Sequence, residues 1–460
     1  MNKSRWALGL LVGLGVLGLM SAPGLPQQPG GPVNGADTAW LLTATALVLL
    51  MTPGLSFFYG GMVRVKNVVS TLLQSFMAMA VISLLWVVVG FSLAFGDSWH
   101  GLLGDPRTFF MFRGVGEQTH ATLAPTIPFL LFALFQLKFA IITPALITGA
   151  FAERVRFKAY VLFMVLFSLF IYAPLAHWTW HPEGFLRQWG VLDFAGGTVV
   201  HMSAGFAALA GALVLGRRRV HVENGTHTPA NLPFVLLGTG MLWFGWFGFN
   251  AGSALSASGL ATLAFATTNT ASAAAMLGWM GFDWLRGRKP SAMGACVGAV
   301  VGLVAVTPAA GFITVGQSIA VGLVASLVSN FAVHLKSRTA LDDTLDVFPC
   351  HGLGGMVGMV LTGVLAKDVG LVYGQTRTFL FHLLALVIVS AFSFAGAWLL
   401  YKLVDRLVPL RVSRAQEEEG LDLSQHGETV GELGAGLPEP SARESSSLEP
   451  DVPGRSPAPA

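Results

Sequence analysis

The chain has 460 residues, of which 53% are hydrophobic and only 11% are charged, whereas a soluble domain carries about 25% charged residues. So few charges cannot cover the surface of a water-soluble protein of this length, and we expect lipid to contact most of it. The net charge of +3 is small and the basic residues are scattered, which excludes a nucleic-acid-binding surface.

The first residues have the pattern of a secretory signal peptide. Lys3 and Arg5 precede an apolar run from Trp6 to Met20, and small residues follow it. This run is shorter than the roughly 20 residues that cross a membrane. A cleaved signal peptide over 1–24 is therefore favoured over an uncleaved first helix.

Apolar runs recur from Asp37 onward, separated by short polar segments. Because the bilayer core offers no water to the backbone, each run can cross it only as a helix. The sequence therefore predicts an all-α integral membrane protein. Its eleven predicted spans lie near 38–62, 68–95, 126–152, 159–177, 194–215, 232–254, 261–284, 291–308, 312–334, 350–366 and 379–404.

Lys and Arg residues gather at alternate ends of these spans, which predicts their orientation. One side has basic clusters such as 154–158 and 217–219, while the other side has only Arg107, Arg113, Arg187, Lys367 and Arg377. Positive charge stays in the cytoplasm. The N-terminus is therefore predicted outside the cell and the C-terminus inside, in a multi-pass protein of the cell (inner) membrane.

The composition changes after the last span. We expect a membrane domain over 37–406, a charged cytoplasmic tail over 407–432 and a disordered segment, rich in Ser, Pro, Glu and Gly, over 433–460.

Two histidines lie inside predicted spans, where ionisable residues are expensive and usually functional. His201 enters from the outer side and His351 from the cytoplasmic side, and small residues follow both (Ala204 and Gly205, Gly354 and Gly355). Two inverted five-helix halves would bring them together at the repeat interface. The alternative is two unrelated histidines, each bonded to a helix carbonyl.

The chemistry of such a pair narrows the solute. Neutral imidazoles offer both a donor and an acceptor, which suits a small polar solute with N–H groups. Bare Na⁺ or K⁺ needs several oxygens instead. The two cysteines, Cys296 and Cys350, lie in apolar stretches, so we expect no disulfide framework, metal site or cofactor.

Several long motifs resemble the ammonium transporter (Amt/Rh) family, bacterial Amt type, over about residues 37 to 432. The motifs are Met51-Thr-Pro-Gly, Phe139-Ala-Ile-Ile-Thr-Pro-Ala-Leu-Ile, Glu153-Arg154, Asp193 to Arg217, Gly245 to Ser253, and Asp342-Asp343-Thr-Leu-Asp346 leading to His351-Gly. The resemblance implies the Amt/Rh channel fold: two inverted five-helix repeats plus a C-terminal helix. It also implies a homotrimer with one passage in each subunit.

The resemblance also implies site residues. Trp180, Ser253, Phe135 and Phe139 would form an outer ammonium site, since aromatic rings attract a cation within about 6 Å. Phe139 and Phe249 would stack below it as a gate, and Asp193 would support the site structurally. His201 and His351 would select ammonia and relay the proton. Without the resemblance, the aromatic residues would more often be lipid-facing or core.

The resulting hypothesis is an ammonium transporter that moves ammonia plus a relayed proton into the cytoplasm and accepts methylammonium as an analogue. Two alternatives stay open, a neutral ammonia or carbon dioxide channel of the Rh type and an ammonium sensor with little flux. No nucleophile–base pair or metal motif supports an enzyme.

Two further features accompany the resemblance. Lys138, within a span and beside Phe139, departs from the family pattern; it either snorkels away or tunes the cation site by repulsion. The segment from Gln416 to Glu428 resembles the family's regulatory tail, which implies docking of residues 411–432 on the cytoplasmic face and a PII-type signalling protein as partner. The alternative is a solvated acidic tail.

Overall fold

The computed structural model describes residues 28–430 except Asn224 and Thr226, together with Gly13, Gly15 and Val16. The predicted signal peptide, apart from those three positions, and the predicted disordered segment over 433–460 lie outside the described residues.

Within the described part of the chain, ten helices are long and apolar enough to cross a membrane, and an eleventh apolar helix has 15 residues. Each coincides with one predicted span, so the all-α, multi-pass fold is confirmed. The helices are α1 (Gly35–Met62), α2 (Val65–Phe95), α3 (Phe129–Ala150), α4 (157–180), α5 (Gly197–Leu215), α6 (Leu232–Gly252), α7 (Gly259–Leu285), α8 (Ala292–Val306), α9 (Val315–Lys336), α10 (Phe348–Leu365) and α11 (Thr376–Leu407).

Polar side chains at the helix starts explain why the helices begin where they do. Each cap accepts a hydrogen bond from a backbone N–H of the first turn, which would otherwise lack a partner. At α9 the cap is reciprocal, because Gln317 also accepts from the backbone of Thr314. Such caps stand at Asn34, Asn231, Ser258, Ser291 and Thr314.

The first helices of the two halves, α1 and α6, pack along each other through a row of glycines. A Cβ at Gly238 would collide with the backbone of Phe58, and one at Gly61 would lie 2.6 Å from the carbonyl oxygen of Asn231. Small residues let helix backbones approach closely inside a membrane. This contact holds the halves α1–α5 and α6–α10 together, and α11 packs against α5 on the outside.

The remaining elements are short and lie at the membrane faces. An antiparallel pair, Ser98–Trp99 with Leu103–Gly104, follows α2. The short helical turns are Phe110–Phe112, Phe185–Gln188, Arg219–Val222, Leu371–Tyr373, Arg414–Glu419 and Asp422–His426.

Candidate functional site

His201 and His351 meet in the interior of the molecule. Their Nδ1 atoms are 3.4 Å apart, and their rings lie 28° from parallel with centroids 5.5 Å apart. Only 1% and 3% of their surfaces are exposed. The structure thus brings together the two histidines that the sequence singled out.

Both histidines stand in the first turns of their helices, and both turns are widened to π geometry (Gly197–Met202 and Phe348–Leu353). Such turns are rare and recur at functional sites. The helices α5 and α10 contact each other through these first turns. The small residues after each histidine permit the crossing: a Cβ at Gly205 would collide with the backbone of Gly352, and one at Gly355 would lie 3.2 Å from the Cβ of His201.

A carboxylate caps each of these two helices. Asp193 accepts hydrogen bonds of 2.6–2.7 Å from the N–H groups of Gly196, Gly197 and Thr198, and one of 2.5 Å from the Thr198 hydroxyl. Asp193 thus caps the start of α5.

The second cap was missed by the sequence analysis. Asp343 accepts from the N–H groups of Val347 and Phe348 at 3.1 and 2.7 Å. Asp343 precedes His351 by the same eight residues that separate Asp193 from His201; this spacing was the available signal. The nearer Asp346 instead pairs with Lys336 at 2.6 Å.

The paired histidines border a narrow cavity with room for about one water-sized molecule. The imidazoles supply its polar atoms, since the indole N–H of Trp246 is engaged by the Thr307 hydroxyl at 2.9 Å. Nε2 of His201 has no hydrogen-bond partner among the described residues. The lining residues are Met51, Leu55, Phe58, Ile142, Leu146, Val200, His201, Leu242, Trp246, Phe249, Val300 and His351.

Phe139 and Phe249 separate this cavity from a wider opening. Their ring centroids are 4.3 Å apart, and at most 1% of either residue is exposed. Phe249 lines the cavity and also lies over His201, with centroids 6.0 Å apart, while Phe139 lines the opening. The two rings, tilted by 37° to each other, therefore lie between the cavity and the opening.

We call the wider opening the outer vestibule, because the charge distribution predicts its side to be extracellular. Trp180 meets Phe139 edge-on at 5.6 Å and donates its indole N–H to the carbonyl of Asp193 at 3.2 Å. The Ser253 hydroxyl donates to the carbonyl of Phe249 at 2.8 Å, so its lone pairs remain free to accept from a solute. An aromatic face and a hydroxyl acceptor thus share one opening.

The predicted site residue Phe135 has a different place. It is fully buried and packs edge-on behind Phe139, with centroids 5.0 Å apart. Gln136, one residue on, lines the vestibule instead. Sequence analysis missed Gln136, although its spacing of three residues from Phe139 places both on one helix face. Lys138 is half-buried and is not part of the vestibule lining, which favours the interpretation that it points away from the cation path.

A buried ion network lies among the segments that follow α1, α3, α5 and α9. Arg218 pairs with Glu153 at 3.0 Å and with Asp342 at 2.9 Å, and Arg64 adds a second contact to Glu153 at 2.9 Å. Burial would raise the pKa of Glu153, but the charges of Arg218 and Arg64 outweigh it and hold that pKa below its ordinary value. Burial acts likewise on Asp342, yet Arg218 and then Arg154 hold its pKa well below the ordinary range.

The tail lies against this network. The carboxylate of Asp422 accepts from the N–H groups of Val69 and Ser70 at 3.0 and 2.8 Å, so it caps the start of α2. Glu417 accepts from the N–H of Arg219 at 2.7 Å. The tail thus connects the start of α2 with the segment that follows α5.

Together, an all-helical bundle, an aromatic vestibule and a gated, histidine-lined cavity define a membrane transporter or channel for a small polar solute. The model of the Ammonium Transporter Family matches residues 39–430, which is most of the chain. The chain therefore belongs to the ammonium transporter family.

The chain is also similar to individual proteins and to solved structures. An ammonium transporter from Aquifex aeolicus is 47% identical over 402 residues, covering 85% of this chain and 92% of that protein. The crystal structure of Mep2 from Saccharomyces cerevisiae has a TM-score of 0.78 at 34% identity and covers 84% of this chain and 89% of its own. A structure described as a sensor Amt protein has a TM-score of 0.78 at 28% identity, covering 85% and 98%.

Proposed function

We propose that this protein is an ammonium transporter that captures ammonium in the outer vestibule, passes it as ammonia along the histidines and relays the proton separately. The observation that carries the proposal is the Phe139–Phe249 pair between an aromatic vestibule and the cavity at His201. The protein is a transporter and not an enzyme.

Each compartment suits one form of the solute. In the vestibule, the face of Trp180 attracts a cation and Ser253 accepts one of its N–H bonds. Below the gate the lining is apolar apart from the imidazoles. An isolated cation is poorly solvated there, at a cost of several kcal/mol, so loss of a proton lowers the barrier. K⁺ cannot lose a proton and is therefore excluded.

The histidines support the relay. Their Nδ1 atoms lie 3.4 Å apart, so one must donate while the other accepts, and the pair can share a proton. Nε2 of His201 has no partner among the described residues and can exchange a hydrogen bond with passing ammonia or water. The pair thus bridges the two halves of the passage.

In this proposal the protein lies in the cell membrane, with the outer vestibule facing the outside of the cell and the tail in the cytoplasm. We also propose a homotrimer, in keeping with the family resemblance. Large apolar side chains exposed on α6, α7 and α9 provide surface for lipid and for the neighbouring subunits; they include Leu236, Phe244, Leu277, Ile319 and Leu327.

The docked tail supports a regulatory partner on the cytoplasmic face, a PII-type signalling protein. Its contacts with the starts of α2 and of the loop after α5 would transmit binding of that partner to the membrane helices. A pull-down with PII should lose capture when residues 411–432 are deleted. Equal capture with and without them would contradict the role of the tail.

Isotopic methylammonium uptake by cells that lack other ammonium transporters tests the function. We expect saturable uptake that ammonium inhibits, and Trp180→Leu should raise the half-saturation concentration about three- to tenfold, the range expected for one cation–π contact. The matched control is Trp284→Leu, because Trp284 is 68% exposed on α7.

The alternatives give other outcomes in the same assay. A neutral channel of the Rh type would show uptake that does not saturate and follows the free amine as pH rises. A sensor would bind methylammonium without uptake. Uptake no greater than in cells without the protein, despite its presence in the membrane, would contradict the proposal.

A further inference from the structure

The rim of the outer vestibule includes a tight turn in the loop between α2 and α3. His120 and Ala124 exchange backbone hydrogen bonds of 2.9 and 3.0 Å across this turn. Thr122 and Leu123 at its tip line the vestibule together with Trp180 and Ser253. The turn therefore shapes the entrance that a solute meets first.

The side chain of His120 holds this tip. Its Nδ1 lies 3.2 Å from the backbone N of Leu123 and 3.4 Å from that of Thr122. Both backbone groups are donors, so Nδ1 must be an unprotonated acceptor. The ring also stacks on Phe129, the first residue of α3, with centroids 4.5 Å apart.

The base of the turn is fixed by other means. The segment before α1 binds it through Gly31 N–H to the Pro125 carbonyl at 3.1 Å, Asn34 N–H to the Thr126 carbonyl at 2.8 Å, and Ala121 N–H to the Gln28 carbonyl at 3.1 Å. These contacts do not depend on pH in the neutral range. Loss of the His120 acceptor would therefore release the tip and leave the base in place.

We propose that His120 is a positioning residue for ammonium capture: its neutral imidazole holds Thr122 and Leu123 at the rim of the outer vestibule, and its protonation releases them. The inference rests on the proposed transport function. An imidazolium donates from both nitrogens, so it cannot accept from the N–H groups of Thr122 and Leu123. The Thr122 hydroxyl, 3.4 Å from Nδ1, is the one contact of these two residues that could accept from it. Acid outside the cell would thus weaken capture and leave the passage below the gate intact.

The charged and titratable neighbours of His120 set the direction of the effect. Burial lowers the pKa of His120 below the ordinary 6.5, and the carboxylate of Asp97 opposes this in part. His181, which follows Trp180, is close enough to interact with both His120 and Arg187, and exposed Arg187 lines the vestibule. The rim is therefore intact above pH 6.5 and loosens as the external pH falls through the lowered pKa.

The test compares methylammonium uptake at about pH 7.5 and about pH 4.5, a range wide enough to titrate an imidazole whose pKa lies below the ordinary value, while the solute remains a cation. For the unmodified protein, the half-saturation concentration should rise about three- to tenfold at the lower pH, the range expected for loss of one or two hydrogen bonds. The maximal rate should change little, because the passage itself is untouched.

Two substitutions distinguish the need for a hydrogen-bond acceptor at residue 120 from the effect of its protonation. His120→Asn keeps an acceptor oxygen for the N–H groups two and three residues on but does not titrate, so its half-saturation concentration should stay low at both pH values. His120→Ala has no acceptor and should show the raised value at both. His100→Asn is the matched control, since His100 lies in the same loop with a positive φ of 53° that Asn tolerates.

A rise for His120→Asn as large as that of the unmodified protein would overturn the inference, as would a low value for His120→Ala at both pH values. Absence of uptake in every variant would instead refute the proposed function. Hydrogen exchange of the amides of Thr122 and Leu123, corrected for intrinsic pH dependence, is independent of transport. It should show faster exchange at about pH 4.5 than at about pH 7.5 in the unmodified protein and no such change in His120→Asn.

Discussion

The Nδ1 atoms of His201 and His351 lie 3.4 Å apart although the two residues are separated by 150 positions in the chain. Their helices enter the membrane from opposite faces and each begins on a carboxylate, Asp193 or Asp343. The contact is therefore a product of inverted halves, and anything that separates α5 from α10 should disrupt it.

Gly205→Ala should separate these helices. Its Cβ would collide with the backbone of Gly352, which cannot rotate away as a side chain could, and overpacking of this kind costs about 1–3 kcal/mol. We expect a lower thermal unfolding midpoint in detergent and reduced methylammonium uptake. Gly240→Ala is the control, since nothing lies within 4 Å of its added Cβ; equal behaviour of the two variants would speak against the crossing.

Asp193→Ala should loosen the helix that carries His201. Three buried N–H groups and one hydroxyl would lose their acceptor, and an unsatisfied buried group costs about 1–3 kcal/mol. Unfolding by denaturant should show this loss together with reduced uptake, and Asp193→Asn should recover part of both. Ser258→Ala, which removes the cap of α7, should cost about 1 kcal/mol and leave uptake unchanged. If Asp193→Ala matched that control, the capping role would be wrong.

The ion network should make the protein sensitive to acid. The pKa values of Glu153 and Asp342 are lowered in the folded protein from ordinary values of 4.5 and 3.8. A lowered carboxyl pKa contributes stability that is present above the ordinary value and is lost as pH falls through the folded one. The unfolding midpoint should therefore hold down to about pH 4.5 and then decline steeply.

Substitution of one member tests the same network at neutral pH. Asp342→Ala leaves Arg218 buried with one partner fewer, which should cost about 3–5 kcal/mol and flatten the decline in acid. Glu223→Gln alters only an exposed pair with Arg219, so it should change stability by about 1 kcal/mol or less. If the Asp342→Ala protein were as stable as the Glu223→Gln protein, the ion network would not stabilise the fold as proposed.

The sequence was sufficient for the membrane helices and for the histidines. Spans are long apolar runs whose ends are marked by Lys and Arg, and a lone ionisable residue such as His201 or His351 stands out against them. An odd number of helices in each half then dictates that the two approach from opposite sides. These signals are strong because lipid penalises every exception.

Other parts of the site could not be obtained in this way. That Gln136 lines the vestibule while Phe135 is buried behind Phe139 depends on the rotation of α3, which is set by neighbouring helices because its sequence is apolar on nearly every side. The turn at His120 lies in a loop without periodicity, and its place at the rim depends on contacts with the segment before α1. Asp343 could be recognised only by its spacing, because it precedes His351 by the same eight residues that separate Asp193 from His201.

The central claim is that the paired histidines relay the proton of ammonium. Ammonium-gradient currents on reconstituted protein test it most directly, with His201→Ala and His351→Ala compared with His334→Ala, whose histidine lies in the last turn of α9. The account predicts that both pore substitutions abolish the current or its selectivity over K⁺, while the control conducts normally. Unchanged ammonium-dependent conduction and selectivity in both pore variants would contradict it.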